Sequence, residues 1–414
     1  MTPYTCNSTF INVILVYLLL FVSGAERYNL AANKYLVLVF LVALAAWFLF
    51  TDRKISDRYL LYMTVFVGLL FSLSLYTGGS LSLQSLLATT MKFVLAYLIL
   101  RTVGVEFAEI YIKVMVFLAS ISLFGYLSDA FHLFDGLISK LPPVGERGYE
   151  GILYTFRHVY HPYRNNSIFF EPGAYQAFLN TALFLLVFAR THFGKGRKWI
   201  YIIILLTALM TALSTTGFLI FSVLFTLFLY RSELASLSQK IISVGLIVVV
   251  AAVFAAQFHA ILVKKLDDYV NPNVERKGWS AENRSFDAQT DIKIFKEHVF
   301  GLGHDKYTQE FRRFGGFEAQ ANEGSSNGIT SMFAGYGLPF ALFIFISYFW
   351  ALRKLLDDNL LAIAAYLMFL MFLWGESYYR DSPISFAIIA AAFIFTRSSL
   401  EEKLQDEAGT PEHG

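Results

Sequence analysis

The chain has 414 residues, 56% of them hydrophobic and 17% aromatic, with 15% charged and a net charge of +2. Soluble domains carry about 25% charged residues, so the composition excludes an ordinary soluble domain and specifies a polytopic membrane protein. The small net charge leaves no nucleic-acid partner, and the single cysteine, Cys6, excludes an intrachain disulfide or a cysteine-based metal site.

A membrane helix needs about 20 predominantly apolar residues. That rule predicts an all-α integral membrane fold with twelve spans, at 9–24, 35–50, 59–76, 81–100, 110–127, 169–189, 199–214, 216–230, 241–258, 326–350, 360–374 and 383–396. No Lys or Arg precedes residues 10–25, so this stretch reads as the first span and not as a cleavable signal. The expected organisation is N-terminal spans in 1–127, a first long loop in 128–168, central spans in 169–258, a second long loop in 259–325, C-terminal spans in 326–396 and a polar tail in 397–414. Short amphipathic helices are expected in both long loops.

Loop charge sets orientation, because cytoplasmic loops keep Lys and Arg. One set of loops, with the tail, carries Arg53, Lys54, Arg58, Arg101, Arg190, Lys195, Arg197, Lys198, Arg231, Lys240, Arg353, Lys354, Arg397 and Lys403. The opposite short loops carry Arg27, Lys34 and Arg380. Fourteen against three predicts cytoplasmic termini and two external long loops.

The first long loop runs through Pro142-Pro143 into Tyr149, Tyr154, Arg157, His158, Tyr160, His161, Tyr163 and Arg164. Aromatic faces beside polar groups suit sugar rings, and they equally suit a belt at the membrane interface. Arg157 and His161 are the candidate substrate contacts in this run. At the junction with the sixth span, Glu171-Pro172-Gly173 places a proline on the first turn of a helix. Glu171 either caps that helix or stands as a general base beside an external site. Gln176 and Asn180 follow as a polar stripe, which must face protein interior or a wet cavity.

The second long loop contains an amphipathic helix within 281–303. Ala288, Ile292, Phe295 and Val299 are its expected apolar face, Asn283 its expected cap and Gly301 its stop. Arg284 falls on the first turn, where free N–H groups and the helix dipole favour an anion and a guanidinium forks around phosphate. It equally reads as a solvated arginine of a helix lying on the bilayer. Arg312, Arg313, Glu323 and Asn327 close the loop as further candidate substrate contacts. Lys92, in the fourth span, is functional or pairs structurally. Glu376, Arg380 and Asp381, in the last external turn, join a site or anchor it. No histidine or acid spacing argues for a metal, and no nucleotide fingerprint is present.

Four segments carry a resemblance: Arg164 to Glu171-Pro172; Ser214-Thr-Thr-Gly217; Asn283-Arg284 to His298-Val-Phe-Gly-Leu-Gly303; and Ser326-Asn327 to Gly335-Tyr-Gly337. Their order, over roughly residues 150–350, resembles that in bacterial O-antigen polymerases and O-antigen ligases. The resemblance implies a helical membrane glycosyltransferase on the outer face of the inner membrane; with no metal ligands evident in the sequence, it is expected to work without metal or cofactor. Its substrate would be an undecaprenyl-diphosphate-linked oligosaccharide, with membrane lipid around it and a chain-length regulator as a further partner. It assigns functional arginines to Arg164 and Arg284. The ligases place a histidine where this chain has Ser326, which favours a polymerase; Arg313 to Gly324 matches a polymerase-type Arg-x10-Gly spacing. A ligase acting on lipid A core, or a transporter of lipid-linked oligosaccharide, is the alternative.

Overall fold

In hydrocarbon every backbone N–H and C=O must be satisfied within its own segment, and a helix does so residue by residue. The computed structural model describes residues 9–189, 191–231, 281–320, 324–356 and 358–395. Helices fall on every predicted span within those residues; the stretch 241–258 lies outside them. They are α1 (Thr9–Phe21), the short α2 (Glu26–Leu30), α3 (Ala32–Phe50), α4 (Asp57–Tyr76), α5 (Leu83–Val103) and α6 (Phe107–Ala130). After the first long loop come α8 (Pro172–Phe188), α9 (Lys195–Ala212) and α10 (Thr215–Arg231), α7 (Asp135–Ile138) being a single turn inside that loop. The second long loop supplies α11 (Ala281–Glu297) and α12 (His304–Gln320), followed by α13 (Gly328–Leu355), α14 (Asn359–Gly375) and α15 (Pro383–Ile394).

Four helical stretches, Ala32–Phe50, Asp57–Tyr76, Leu83–Ala130 and Gly328–Leu355, are long and apolar enough to cross a membrane, and several shorter ones are equally apolar. Leu41, Phe48, Leu61, Phe71 and Leu75 stand exposed on α3 and α4, a surface compatible with a membrane-embedded protein. α5 forms the middle of the bundle, packed along α3 and α15. There Phe93 stacks on Phe386 at 4.9 Å and takes the edge of Phe66 at 5.1 Å.

The all-α expectation needs one addition. The first long loop carries a small antiparallel hairpin, β1 (Tyr149–Glu150) with β2 (Thr155–Phe156). Glu150 makes the turn, its carboxylate accepting the amides of Leu153 and Tyr154.

α13 is broken at Gly337 (φ +80°), two residues before Pro339. The break frees backbone groups that the 298–303 loop takes up: Leu302 and Gly303 donate to the Gly335 carbonyl, and Leu338 donates to the Val299 carbonyl. A β-carbon on Gly337 would stand 2.2 Å from the Phe300 carbonyl carbon, so backbone meets backbone here. Two of the segments that carry the resemblance thus interlock.

α11 departs from its sequence expectation in two ways. The helix is already formed at Ala281, so Asn283 lies inside it and not at its cap. Its buried face is Asp287, Ala288, Thr290, Asp291 and Ile294, whereas Ile292 and Val299, assigned to the apolar face, are exposed. The acids turn inward because donors await them. Asp287 accepts the Ser326 amide and hydroxyl at 2.7 and 2.6 Å, and Asp291 accepts the Tyr307 and Thr330 hydroxyls at 2.7 and 2.6 Å. These four donors satisfy two carboxylates that would otherwise be buried without partners.

Candidate functional site

Three chain segments meet at the end of the bundle that the charge bias predicts to be external. Ala25 forms an antiparallel bridge with Phe169, Glu26 donates its amide to the Ile168 carbonyl, and Phe170 donates to the Gly24 carbonyl. The last turn (Ser377–Asp381) packs on the same place, Tyr378 presenting its edge to Phe170 at 4.7 Å. Phe169, stacked on Phe178 at 4.4 Å, anchors the junction in the core. Glu171 is therefore delivered to the start of α8 by a rigid, apolar anchor.

Pro172 sits at the first helical position as expected, and Glu171 has the extended backbone of an N-cap. Its side chain makes no capping hydrogen bond. The space over the first turn is instead occupied by the buried Glu376 carboxylate, which lies against Gly173 where any β-carbon would stand. Glu171 remains half-buried, with its carboxylate not engaged by its own helix.

Glu26, Arg147 and His158 gather around Glu171. His158 Nε2 lies 3.2 Å from the Phe170 carbonyl and its Nδ1 accepts the His161 amide at 3.2 Å, so the proton resides on Nε2 and the ring is neutral. Burial lowers the His158 pKa and Arg147 lowers it further, against the Phe170 carbonyl and Glu171. Burial raises the Glu26 pKa; Arg147 opposes the shift and Glu171 adds to it. Arg147 Nε stands 3.6 Å from Glu26 Oε1, an ion pair too long to be a hydrogen bond. Neither Glu26 oxygen, nor the Tyr378 hydroxyl, has a hydrogen-bond partner among the described residues, although all three are buried. Unpaired buried polar atoms are rare and call for water, ion or ligand. Shifted titratable groups that converge on one spot, beside unpaired buried polar atoms, make this cluster the candidate site.

Of the other first-loop candidates, Arg157 is turned to Asp135, with Nη2 2.6 Å from Oδ1, and its amide donates to Asp129. It pins the loop to α7 and to the end of α6. Arg164 donates from Nε to the Ala212 carbonyl at 3.1 Å, at the C-terminal end of α9, where a cation suits the helix dipole. His161 stacks on His158 at 5.1 Å. Gln176 and Asn180 face protein: Asn180 Nδ2 bonds Gln176 Oε1 and the Gly217 carbonyl, and Gly217 packs directly on Gln176.

The second-loop candidates surround the α11–α13 contact. Position 284 lies on α11 one turn before Asp287, and its side chain is outside the described residues, as is Glu323. Arg312 and Arg313 are on the exposed side of α12, Arg313 paired with Glu310 at 3.3 Å. Asn327 caps α13, its Oδ1 accepting the Ile329 and Thr330 amides at 3.0 and 3.2 Å. Burial pushes Asp291 up to about 6, against the hydroxyls of Thr330 and Tyr307 that hold it down. The last turn joins this cluster to the first: Arg380 binds Asp381 at 2.9 Å and the Ser331 hydroxyl at 3.0 Å, and Tyr336 donates to Asp381. Lys92 lies within electrostatic reach of the Arg380–Asp381 pair.

Sequence reasoning missed Glu26 and Arg147 and gave His158 no role. The one local signal was an acid directly after a span, Glu26; its partners lie more than 100 residues away. Toward the opposite end, α6, α8, α14 and α15 enclose a cavity of about 800 Å³. It extends from Glu106 and Glu109 to Tyr379, beneath the last turn, with Phe184, Met368 and Phe372 among its walls. No protein-family model matches the chain, and no curated protein matches it.

Proposed function

We propose that this protein polymerises surface-polysaccharide repeat units. It is a multi-spanning enzyme of the bacterial inner membrane, with twelve spans, cytoplasmic termini and its site on the external face. A hydroxyl of one lipid-linked repeat unit attacks the anomeric carbon of the growing, undecaprenyl-diphosphate-linked chain. The new glycosidic C–O bond forms, the bond from the anomeric carbon to the diphosphate oxygen breaks, and its electron pair leaves with undecaprenyl diphosphate. Glu171 takes the hydroxyl proton. A preorganised carboxylate beside the reacting hydroxyl contributes about 10²–10⁴ in rate. The resemblance marks Arg164 and Arg284 as functional, and we place both at the leaving diphosphate, which needs more than one cation; a chain-length regulator is the expected partner protein.

The observation that carries this reading is the state of Glu171. It is a half-buried carboxylate at a helix start that does not cap its helix, because Glu376 holds that space, and it lies beside Glu26, Arg147 and His158. The test in cells is the deletion phenotype: single repeat units on the outer lipid support a polymerase. Polymer left unattached points instead to a ligase.

A transporter of lipid-linked oligosaccharide is the second reading, favoured by the 800 Å³ cavity beneath Tyr379. Its deletion leaves lipid-linked units stranded on the cytoplasmic side.

A further inference from the structure

The guanidinium of Arg147 has a place in the cluster and a single, loosely held partner there, Glu26. Its side chain is 43% exposed, and its ion pair with Glu26 is held open at 3.6 Å. The backbone fixes it tightly. Gly148 allows the chain to pass close to the Phe156 carbonyl, and the Arg147 carbonyl accepts the Val159 amide at 2.9 Å, so Arg147 and His158 are set side by side. The Tyr160 ring lies 5.4 Å from the Arg147 guanidinium carbon. This makes a fork of donors, backed by an aromatic face, open to solvent beside Glu171. The other arginines of this loop differ: Arg157 is committed to Asp135, and Arg164 holds the Ala212 carbonyl.

We propose that Arg147 is the residue of this site that binds the diphosphate, and that capture of the anion releases Glu26 to take up one proton from solvent. The proposal rests on the polymerase reading for the identity of the anion. Its chemistry is that of any phosphate-bearing ligand, whether a lipid-linked diphosphate or a free one. Guanidinium and phosphate form paired, charge-assisted bonds that the 3.6 Å contact with Glu26 does not offer. Once its counter-charge is shared, less opposes the burial that already raises the Glu26 pKa, and the carboxyl takes up a proton more readily. The charged groups facing Glu26 are Arg147 and Glu171; neighbouring Arg27 is turned away, donating to the Glu150 carbonyl. The remaining ionisable neighbour, His158, faces Arg147 and Glu171 and is held neutral.

The test is calorimetric titration of the full-length protein in detergent micelles with inorganic pyrophosphate and, separately, with geranyl diphosphate, in buffers of different ionisation heat. Wild type should bind with uptake of a proton. Arg147→Gln and Arg147→Lys, the second of which keeps the charge beside Glu26, should each bind at least tenfold more weakly. Glu26→Gln should bind without proton uptake. Binding of geranyl diphosphate alone supports the site and identifies a lipid-linked ligand; binding of both probes supports it and admits a free one. Binding of neither probe to wild type, affinities of both Arg147 variants within twofold of wild type, or binding with no proton taken up would overturn the proposal. Because no turnover is involved, failure here leaves the polymerase reading standing, and failure to polymerise leaves the anion site standing.

Discussion

Glu376 rests on Gly173: its Oε1 lies 1.8 Å from the point a β-carbon of residue 173 would occupy. The last turn of the chain thus closes over the start of α8, and this contact leaves Glu171 without a capping role.

Gly173→Ala should therefore displace Glu376 and destabilise the protein by about 1–3 kcal/mol, the usual range for overpacking. Removing the obstacle in Gly173→Ala/Glu376→Ala should recover part of that loss. Thermal unfolding of both variants in detergent checks the contact. An unperturbed single variant would show that the carboxylate does not sit there.

Glu171 separates structural from chemical roles. Loss of a true N-cap typically costs about 1 kcal/mol. Because the Glu171 side chain makes no cap bond, Glu171→Ala should fold with nearly wild-type stability. Glu171→Gln should do the same, and neither should polymerise, since an amide does not take a proton near neutral pH. Full activity in a well-expressed Glu171→Gln protein removes Glu171 as the base.

Asp291 carries a pH dependence whose sign follows from its environment. Its pKa is raised from 3.8 to about 6 in the folded protein, so the folded state holds a proton that the unfolded state has already released between those values. Stability should fall as pH rises from about 4 to about 6, and Asp291→Asn should flatten that slope. Asp291→Leu leaves the Thr330 and Tyr307 hydroxyls without their acceptor, a cost of about 1–3 kcal/mol for each orphaned group. Denaturation followed against pH tests both statements.

His158 gives the opposite sign. Its folded pKa is lowered by burial, so stability present above about 6.5, the ordinary histidine value, should be lost as pH falls below it. His158→Gln keeps a donor for the Phe170 carbonyl and should abolish that acid sensitivity in the 158–171 segment. Amide exchange of this segment at pH 7 and pH 5.5 reads the effect; equal protection at both pH values in wild type contradicts it.

How much of this was legible in the sequence depends on the range of the interaction. The apolar runs of α3, α4, α5 and α13 announce their helices because the signal is local. The Glu171-Pro172 helix start is local in the same way. The buried face of α11 was misread because its acids find donors on α12, on α13 and at Ser326 just before α13, and no periodicity within α11 reports that. Glu26 and Arg147 were invisible for a related reason: their neighbours come from the far side of the first loop, joined by the Ala25–Phe169 bridge. Gly337 entered the sequence reading only as part of a motif inside a continuous span at 326–350; its break was not expected, because its cause, the 298–303 loop inserted against it, is tertiary.

The most direct test of the central claim is incubation of the purified full-length protein with defined undecaprenyl-diphosphate-linked repeat units, the products being separated by size. The account predicts a ladder of lipid-linked oligomers from wild type and none from Glu171→Gln. A wild-type preparation that binds the substrate yet leaves it as single units, or a Glu171→Gln protein that builds the same ladder, would contradict it.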